Sequence, residues 1–365
     1  MQRDTAYGGF LKDPMHKNCY FCYYMMYIHP AQDGRAIVST CCQHAFRREN
    51  RIVVGKGIAQ TWNSSYFQFQ RFLVSRQSRA MCWGADCAHA PAKIVEEAVA
   101  EKDVAEAISR KDLALQYPPR YLYLVPSVEC NQQCYYCYCY NGNRKSSMRA
   151  FSIQESLMEE VRRDIIPGID YVILSGGEPF FATESIRFMD WFLEAYPQKK
   201  LLVFTNGTFL DRFGIERLMK PTIKLRISLP AMREDVYRAV TGTDNFSRVM
   251  RNLREVLHWN AAHIILYFVL SRQSASDLDD FCSFVEQNPA IRAGLIQPNY
   301  YAGRSFHALM RKSQKRYAHI GNRLIFIYRN QDILQRGLRA FYNPVHTLRY
   351  GWWAAVERCR AGKEV

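Results

Sequence analysis

The sequence predicts an α/β protein whose main part is an open, partial (β/α)6 barrel of the TIM-like kind. Short apolar runs alternate with longer segments of helical spacing, and this alternation starts after the Pro118-Pro119 pair. Repeated β-α units join parallel strands through right-handed crossovers. Six units are too few to close an eight-stranded barrel. The predicted strands are 121–125, 171–174, 201–204, 223–229, 264–270 and 293–296.

Two helices between these strands have clear sequence signals. Ser152 and Glu155 form a capping-box pattern, which predicts a helix that starts at Ser152. The apolar stripe of that helix consists of Leu157, Val161 and Ile165. A second helix has the stripe Val249, Leu253, Val256 and Leu257.

The rest of the chain divides by composition into three further segments. Residues 1–92 have short strand-like runs with cysteines at their ends, and the turn Asp33-Gly34 predicts a hairpin that leads to Cys41. Residues 93–117 form a helical linker. The barrel covers 118–303, and 304–365 form a helical C-terminal extension.

Composition narrows the class of protein. The 365 residues are 48% apolar and 23% charged, as in an ordinary soluble enzyme. The sequence lacks a run of ~18 uncharged apolar residues and a secretory h-region, so we expect a cytoplasmic protein without membrane contact. The net charge is +15. Its basic residues are dispersed in short pairs, which favours a solvated basic surface over a nucleic-acid interface.

Twelve cysteines point to metal chemistry, because thiols in a reducing compartment serve metal binding or catalysis more often than disulfides. Cys130, Cys134 and Cys137 form a C-x-x-x-C-x-x-C loop directly after the first barrel strand. Three thiolates can hold three irons of a 4Fe–4S cube and leave the fourth iron open, which is typical of a catalytic centre. The alternative is a zinc knuckle with Cys139 as its fourth ligand.

These motifs resemble the radical S-adenosylmethionine (radical SAM) superfamily over residues ~118 to ~303. The cysteine loop has an aromatic residue, Tyr136, before its last cysteine. Strand two ends in Ser175-Gly176-Gly177-Glu178-Pro179, similar to the G-G-E-P turn of that family, and strand three ends in Thr205-Asn206-Gly207. Strand four ends in Ser228, although Pro230 stands where the family usually has an acidic residue.

The resemblance implies the cofactors and their ligands. A 4Fe–4S cluster would be held by the three loop cysteines, and SAM would chelate its open iron. An electron donor such as flavodoxin or ferredoxin would then drive cleavage of SAM to a 5′-deoxyadenosyl radical. No catalytic residue is assigned beyond the cluster. The residues assigned to SAM are Tyr136 (adenine), Gly176, Gly177, Glu178 (amino group), Pro179, Asn206, Arg226 and Ser228 (ribose).

Arg226 has two candidate roles. It alternates with Ile227 along strand four, so it shares a face with Ser228 and Lys224. A guanidinium on the barrel's inner face can bind the carboxylate of SAM or an anionic group of the substrate. Lys224, nearer the start of the strand, is expected to face solvent.

The N-terminal cysteines resemble the auxiliary-cluster modules called SPASM or Twitch, here placed before the barrel. The expected ligands of one auxiliary iron–sulfur cluster, of the 4Fe–4S type, are Cys22, Cys41, Cys82 and Cys87. Cys19 can replace Cys22 and Cys42 can replace Cys41, and zinc is the alternative metal. Cys282 lies on an apolar helix stripe and is expected in the core.

The resulting hypothesis is a radical SAM enzyme that abstracts a hydrogen atom from a peptide or protein. The peptide assignment follows from the SPASM-like pattern. A dehydrogenase or epimerase of a sugar or cyclitol, acting on a small-molecule substrate, is the first alternative. A zinc-ribbon protein that binds RNA through its basic surface is an alternative of another class.

Overall fold

A computed structural model describes residues 20–41, 51–76, 101–137, 151–259, 263–299 and 306–327. These residues fall into two compact units. The first unit contains the described residues before Val125 together with Ile153–Tyr171. The second contains those of Val125–Ser152 and those from Val172 onward. The expected domain boundaries after residues 92, 117 and 303 stay predictions.

The strands of the first unit form a sheet with the order β4-β1-β2-β3. They are β1 (Met25–Pro30), β2 (Ala36–Ser39), β3 (Ile52–Val54) and β4 (Tyr121–Leu124). The predicted hairpin is confirmed, since β1 and β2 pair antiparallel around a turn with Gly34 at φ 81°. β1 also pairs in parallel with β4, with Met25 opposite Tyr121. The described strands of the N-terminal region therefore share a sheet with β4, which the sequence did not indicate.

The strands of the second unit follow the order β10-β9-β8-β7-β6-β5, and the pairs from β6 to β10 are parallel. They are β5 (Tyr171–Leu174), β6 (Lys200–Thr205), β7 (Ile223–Ser228), β8 (Ile264–Leu270), β9 (Ile291–Pro298) and β10 (Leu324–Phe326). Helices separate these strands along the chain. The α/β class and the parallel sheet of a partial TIM barrel are thus confirmed, and all six predicted strands occur.

Eleven α-helices lie in the described ranges. Those of the first unit are α1 (Phe21–Tyr24), α2 (Ser65–Ser75), α3 (Lys102–Arg110) and α4 (Glu155–Glu160), which continues as a π-turn over Val161–Ile165. Those of the second unit are α5 (Thr183–Ala195), α6 (Leu210–Phe213), α7 (Ile215–Leu218), α8 (Glu234–Thr241), α9 (Phe246–His258), α10 (Leu278–Gln287) and α11 (His307–Arg316). No helix within these ranges has the length and apolar character needed to span a membrane.

One expectation about a helix is wrong. The capping box does not form, because Ser152 bridges to Ser127 as extended backbone and α4 begins only at Glu155. In the predicted C-terminal extension, the described residues contain α11 and also the strand β10, which pairs with β9. A short local pattern cannot report a pairing with a distant strand.

The two faces of the second unit's sheet differ in burial. Along β7 the residues Ile223, Leu225 and Ile227 are buried, and the residues between them are only half-buried. On β8, Phe268 packs on Phe281 of α10 with ring centroids 4.9 Å apart. The helices therefore cover this apolar face, and the opposite face, which carries Arg226, is the inner face of the partial barrel. Cys282 is buried as expected.

A buried arginine holds together the first unit. Arg71 of α2 is fully buried. Its guanidinium donates to the carbonyl oxygens of Cys22 (2.9 Å), Trp62 (2.7 Å) and Leu113 (2.7 Å), and to Oδ1 of Asn63 (3.0 Å). Burial lowers the pKa of Arg71 to about 10, so the side chain remains charged at neutral pH. One side chain thus joins α1, α2 and the segment after α3.

We predict that Arg71→Met destabilises the protein by roughly 3 kcal/mol or more, because it leaves buried acceptors without donors. Urea unfolding followed by circular dichroism measures the change. Arg76→Met is the matched control, since Arg76 stacks on Phe72 at 5.6 Å but is exposed at the end of α2. Equal midpoints for the two variants would contradict the assigned role of Arg71.

Candidate functional site

Backbone hydrogen bonds join the start of the cysteine loop to the Gly176–Glu178 turn, which follows β5. Gly177 N donates to the carbonyl oxygen of Ser127 (3.1 Å), and Glu178 N donates to that of Glu129 (2.8 Å). Cys130 follows directly. The turn therefore fixes the backbone from which the first cysteine projects.

The two glycines are required by this close approach. A Cβ atom at Gly176, where φ is +147°, would lie 2.2 Å from the Ser127 carbonyl oxygen. A Cβ atom at Gly177 would lie 1.9 Å from the Glu129 carbonyl oxygen. Both distances are shorter than any van der Waals contact. The predicted role of these glycines, close backbone approach, is thus a contact with the cysteine loop itself.

The C-terminal end of α8 supports the other side of the loop. Gln133 N donates to the carbonyl oxygen of Thr241 (2.8 Å), and Tyr135 N donates to that of Val240 (3.1 Å). Nε2 of Gln132 bonds the hydroxyl of Tyr237 at 2.6 Å. The last carbonyl groups of a helix have no partner within it, so α8 offers free acceptors at this point.

Glu178 lies buried at the centre of the site, with 1% of its surface exposed. Oε1 accepts from the Thr205 hydroxyl (2.6 Å) and from Phe180 N (3.1 Å), and Oε2 accepts from Asn206 N (2.6 Å). Burial raises the pKa of Glu178 to about 7, and these three hydrogen bonds oppose the rise. The carboxylate thus joins the turn after β5 to the end of β6, and one of its four lone pairs is left for another donor.

Asn206 connects β6 to the cysteine loop. Its Nδ2 donates to Oδ1 of Asn131 at 2.8 Å and lies 4.0 Å from Sγ of Cys130. The next residue, Gly207, has φ +78° and turns the chain away from the strand. Asn252 of α9 donates to the carbonyl oxygens of Gly207 (2.9 Å) and Thr208 (3.1 Å). The Thr-Asn-Gly element is therefore anchored on both sides.

The three thiols of the loop are half-buried. Cys137 N donates to the Cys134 carbonyl oxygen (2.9 Å), and Sγ of Cys134 lies 3.5 Å from Oε1 of Gln132. Burial raises the pKa of Cys130 to about 12, and the nearby Glu178 carboxylate adds to the rise. A bound cation would reverse this effect, because a coordinating thiol loses its proton.

The donor set fits an iron–sulfur cube. In the described ranges, no three His, Cys, Asp or Glu side chains converge on a point where a single ion would bind. A cube does not require such convergence, because each thiolate binds a different iron. Three sulfur donors on one short, doubly anchored loop suit this cluster, and Cys130, Cys134 and Cys137 are the residues that would hold it.

The other predicted cofactor residues lie at different places in the second unit. Tyr136 is half-buried beside Tyr135, and burial, with Cys134 and Tyr267 adding to it, raises its pKa well above the ordinary value. Ser228 ends β7 on the half-buried face, and Pro179 is buried in the turn. Arg226 lies on the inner face of β7 between two aromatic rings.

The N-terminal cysteine ligands are described in part. Cys22 and Cys41 are both buried in the first unit. Burial raises the pKa of Tyr66, and the charges of Cys41 and Cys22 add to the rise. The remaining cysteines of these predictions lie outside the described residues: Cys19, Cys42, Cys82, Cys87 and Cys139.

Sequence reasoning missed several polar residues that hold the site in place. Asp277 accepts from Met232 N (2.8 Å) and Arg233 N (3.1 Å), and so fixes the loop after β7. Asn252 had a signal, because it is a polar residue beside the apolar stripe of α9. Gln132 and Tyr237 had none, since nothing in their local patterns indicates a contact between the loop and α8.

We predict that Glu178 makes the stability of the protein depend on pH. The folded pKa of about 7 lies above the ordinary 4.5, so this contribution to stability is complete below pH 4.5 and is lost as the pH rises through 7. Between these limits the free energy of unfolding should fall by about 3 kcal/mol in the wild type, and Glu178→Gln should abolish this component.

Urea unfolding from pH 4.5 to 8 tests this expectation. Glu255→Gln, on the exposed face of α9, is the control and should keep the wild-type slope. If the free energies of unfolding of the wild type and of Glu178→Gln changed in parallel with pH, the carboxylate would be ionised over this whole range, and the prediction would be contradicted.

The segment that carries this site is similar to known proteins. Residues 124–285 match the Radical SAM superfamily. The chain is 26% identical over 162 residues to a GTP 3′,8-cyclase of Alkaliphilus oremlandii, which covers 44% of this chain and 50% of the relative. It is 28% identical over 130 residues to a GTP 3′,8-cyclase of Geobacter sulfurreducens, covering 36% and 40% respectively. The chain thus spans about half the length of the curated relatives it matches.

Two solved structures are similar at lower identity. Streptococcus suis SuiB bound to the precursor peptide SuiA is 14% identical with a TM-score of 0.47, covering 82% of this chain and 70% of that one. The enzyme anSMEcpe with bound AdoMet is 16% identical with a TM-score of 0.46, covering 57% and 64%. The family assignment rests on the sequence match, which includes the cysteine loop, the Gly176–Glu178 turn and Asn206. Residues 124–285 of this chain are a radical SAM domain.

Proposed function

We propose that this chain reductively cleaves SAM and abstracts a hydrogen atom from a peptide or protein substrate. The observation that carries the first part is the fixation of the cysteine loop between the Gly176–Glu178 turn and the end of α8. A loop held on both sides keeps three thiols in place for a cluster. Enzymes of the radical SAM superfamily use a 4Fe–4S cluster and SAM.

The chain's own residues would position the cofactors. When bound, the cluster and SAM supply the electron transfer and the 5′-deoxyadenosyl radical. Cys130, Cys134 and Cys137 would hold the cluster. The free lone pair of Glu178 would accept a hydrogen bond from the amino group of SAM, and Gly176 and Gly177 would let the backbone approach SAM closely. The remaining assignments are Tyr136 to adenine, Ser228 to ribose, and Asn206 with Pro179 to the shape of the turn.

The substrate class is supported less directly. The peptide assignment rests on the N-terminal cysteine pattern, which resembles the SPASM and Twitch modules. A nucleotide is the second candidate, because both relatives named above are GTP 3′,8-cyclases. Incubation of the reduced enzyme with SAM and either GTP or a peptide library separates the two, since only a true substrate raises the yield of 5′-deoxyadenosine.

An auxiliary iron–sulfur cluster is part of the same proposal. Cys22 and Cys41 are both buried in the first unit, which suits two ligands of a cluster enclosed by protein. Cys82 and Cys87 complete the proposed ligand set from the sequence pattern. The charged guanidinium of Arg71 bonds the Cys22 carbonyl oxygen, so a positive charge lies beside the site proposed for an anionic cluster.

We predict that replacing Cys130, Cys134 and Cys137 together with Ala abolishes SAM cleavage, because the cluster loses all its protein ligands. Anaerobic assays of 5′-deoxyadenosine formation with dithionite measure this loss. Cys282→Ala, which removes a buried thiol from α10, is the control and should retain the activity. Continued 5′-deoxyadenosine formation in the triple variant would refute the assignment.

We also predict that Cys87→Ala lowers the iron content by about one cluster's share but still permits SAM cleavage without substrate, because the barrel cysteines are untouched. Iron and sulfide analysis of anaerobically purified protein measures the change. Full iron content in Cys87→Ala, or zinc in place of iron in the native protein, would exclude the auxiliary cluster.

A further inference from the structure

Arg226 occupies an unusual position on the inner face of the second unit's sheet. It lies on β7, opposite Phe204 of β6 in the register. Its guanidinium carbon is 4.2 Å from the centroid of the Phe204 ring and 3.8 Å from that of the Tyr267 ring on β8. The cation is therefore held between two aromatic rings on the face opposite the helices.

Arg226 differs from two other stacked arginines of this unit, and it is half-buried whereas Arg212, which stacks on Phe209, is exposed. Arg217 stacks on Phe213 at 4.3 Å and bonds Asp190 at 2.6 Å. Arg248 likewise stacks on a ring and pairs with an aspartate at 2.9 Å. Within the described part of the chain, Arg226 makes ring contacts but no hydrogen bond or ion pair. Its five N–H donors remain available on the inner face.

The rings that hold Arg226 are themselves fixed. The hydroxyl of Tyr267 donates to the side-chain oxygen of Gln297 on β9. Phe204 directly precedes Thr205, whose hydroxyl bonds Glu178. Stacking between rings recovers only part of the cost of removing a charge from water. A positioned guanidinium whose donors have no protein acceptor is the arrangement that binds a carboxylate or a phosphate group.

The site lies beside the cofactor site. Phe204 precedes Asn206 by two residues, so its level in the sheet is about 6–7 Å below the strand end that contacts the cysteine loop. Nδ2 of Asn206 in turn lies 4.0 Å from Sγ of Cys130 in the cysteine loop. The inner face at Arg226 and the cysteine loop therefore border the same space.

We propose that Arg226 binds an oxyanion, a carboxylate or phosphate, carried by the substrate. This assignment rests on the proposed function in one respect, namely that the space beside the cysteine loop holds the substrate. It predicts that the substrate carries a negatively charged group near the hydrogen atom that is removed. The carboxylate of SAM has the same chemistry, so the experiment must distinguish the two sources.

The test uses the cluster-loaded protein with inorganic pyrophosphate and succinate as probes. Isothermal titration of the SAM-saturated protein measures probe affinity, and the EPR shift of the reduced cluster during SAM titration measures SAM affinity. Arg226→Gln should weaken binding of at least one probe by roughly 10-fold or more and change the SAM dissociation constant less than 2-fold. Arg217→Gln, which removes a stacked but paired arginine, should change neither.

Two outcomes would overturn the proposal. A 10-fold loss of SAM affinity with unchanged probe affinity would assign Arg226 to the SAM carboxylate. Unchanged affinities for both probes would assign it to ring packing alone. Arg226→Lys covers the case in which the Gln variant does not fold, because it keeps the charge but loses the planar fork. A several-fold weaker probe affinity is expected for it, and wild-type affinity would contradict the proposal.

The anion site and the proposed activity can fail separately. Arg226-dependent probe binding in a protein that never cleaves SAM would retain the site and refute the enzyme function. SAM cleavage without Arg226-dependent probe binding would support the enzyme function and refute the anion site.

Discussion

The buried carboxylate of Glu178 is the interaction on which the functional site depends. It accepts hydrogen bonds from two backbone N–H groups and one hydroxyl, and these donors come from the turn after β5 and the end of β6. The same turn bonds the backbone of Ser127 and Glu129. Because burial makes an ionised carboxylate costly, it needs these three donors, and their bonds join the turn after β5 to the end of β6.

The loop is also supported where it is furthest from Glu178. The end of α8 accepts two of its N–H groups, and Gln132 reaches Tyr237. Backbone N–H groups on both sides of the loop are bonded to protein acceptors, so the protein itself holds the loop backbone. Such preorganisation lowers the entropy lost when a cluster and SAM bind.

Two arginines that are at least partly removed from water are held in different ways. Arg71 is fully buried and donates hydrogen bonds to three backbone carbonyl oxygens and one amide oxygen. These bonds stabilise the first unit. Arg226 is half-buried and is held by rings instead. Its hydrogen-bonding capacity stays unused by the described part of the protein. The first arrangement builds structure, and the second provides a place for a ligand.

The sequence by itself determined six strands, the order of the motifs and the family. Periodicity placed all six predicted strands, because a half-buried or buried strand imposes its pattern on consecutive residues. The cysteine spacing and the glycine pair were also predictable from the sequence, because each pattern lies within a few consecutive residues. The glycines were assigned to SAM, whereas the structure also shows them in contact with the cysteine loop.

Only the tertiary structure decided which distant residues support the site. The pairing of β1 with β4, the strand β10, the contact of α8 with the cysteine loop and the bonds of Glu178 to β6 all join segments far apart in the chain. The failed capping box has the same origin, because Ser152 pairs with Ser127 instead of starting a helix. Local patterns record how a segment is buried but not what covers it. The solitary charge of Arg226 between its two rings could therefore be recognised only once three strands were aligned.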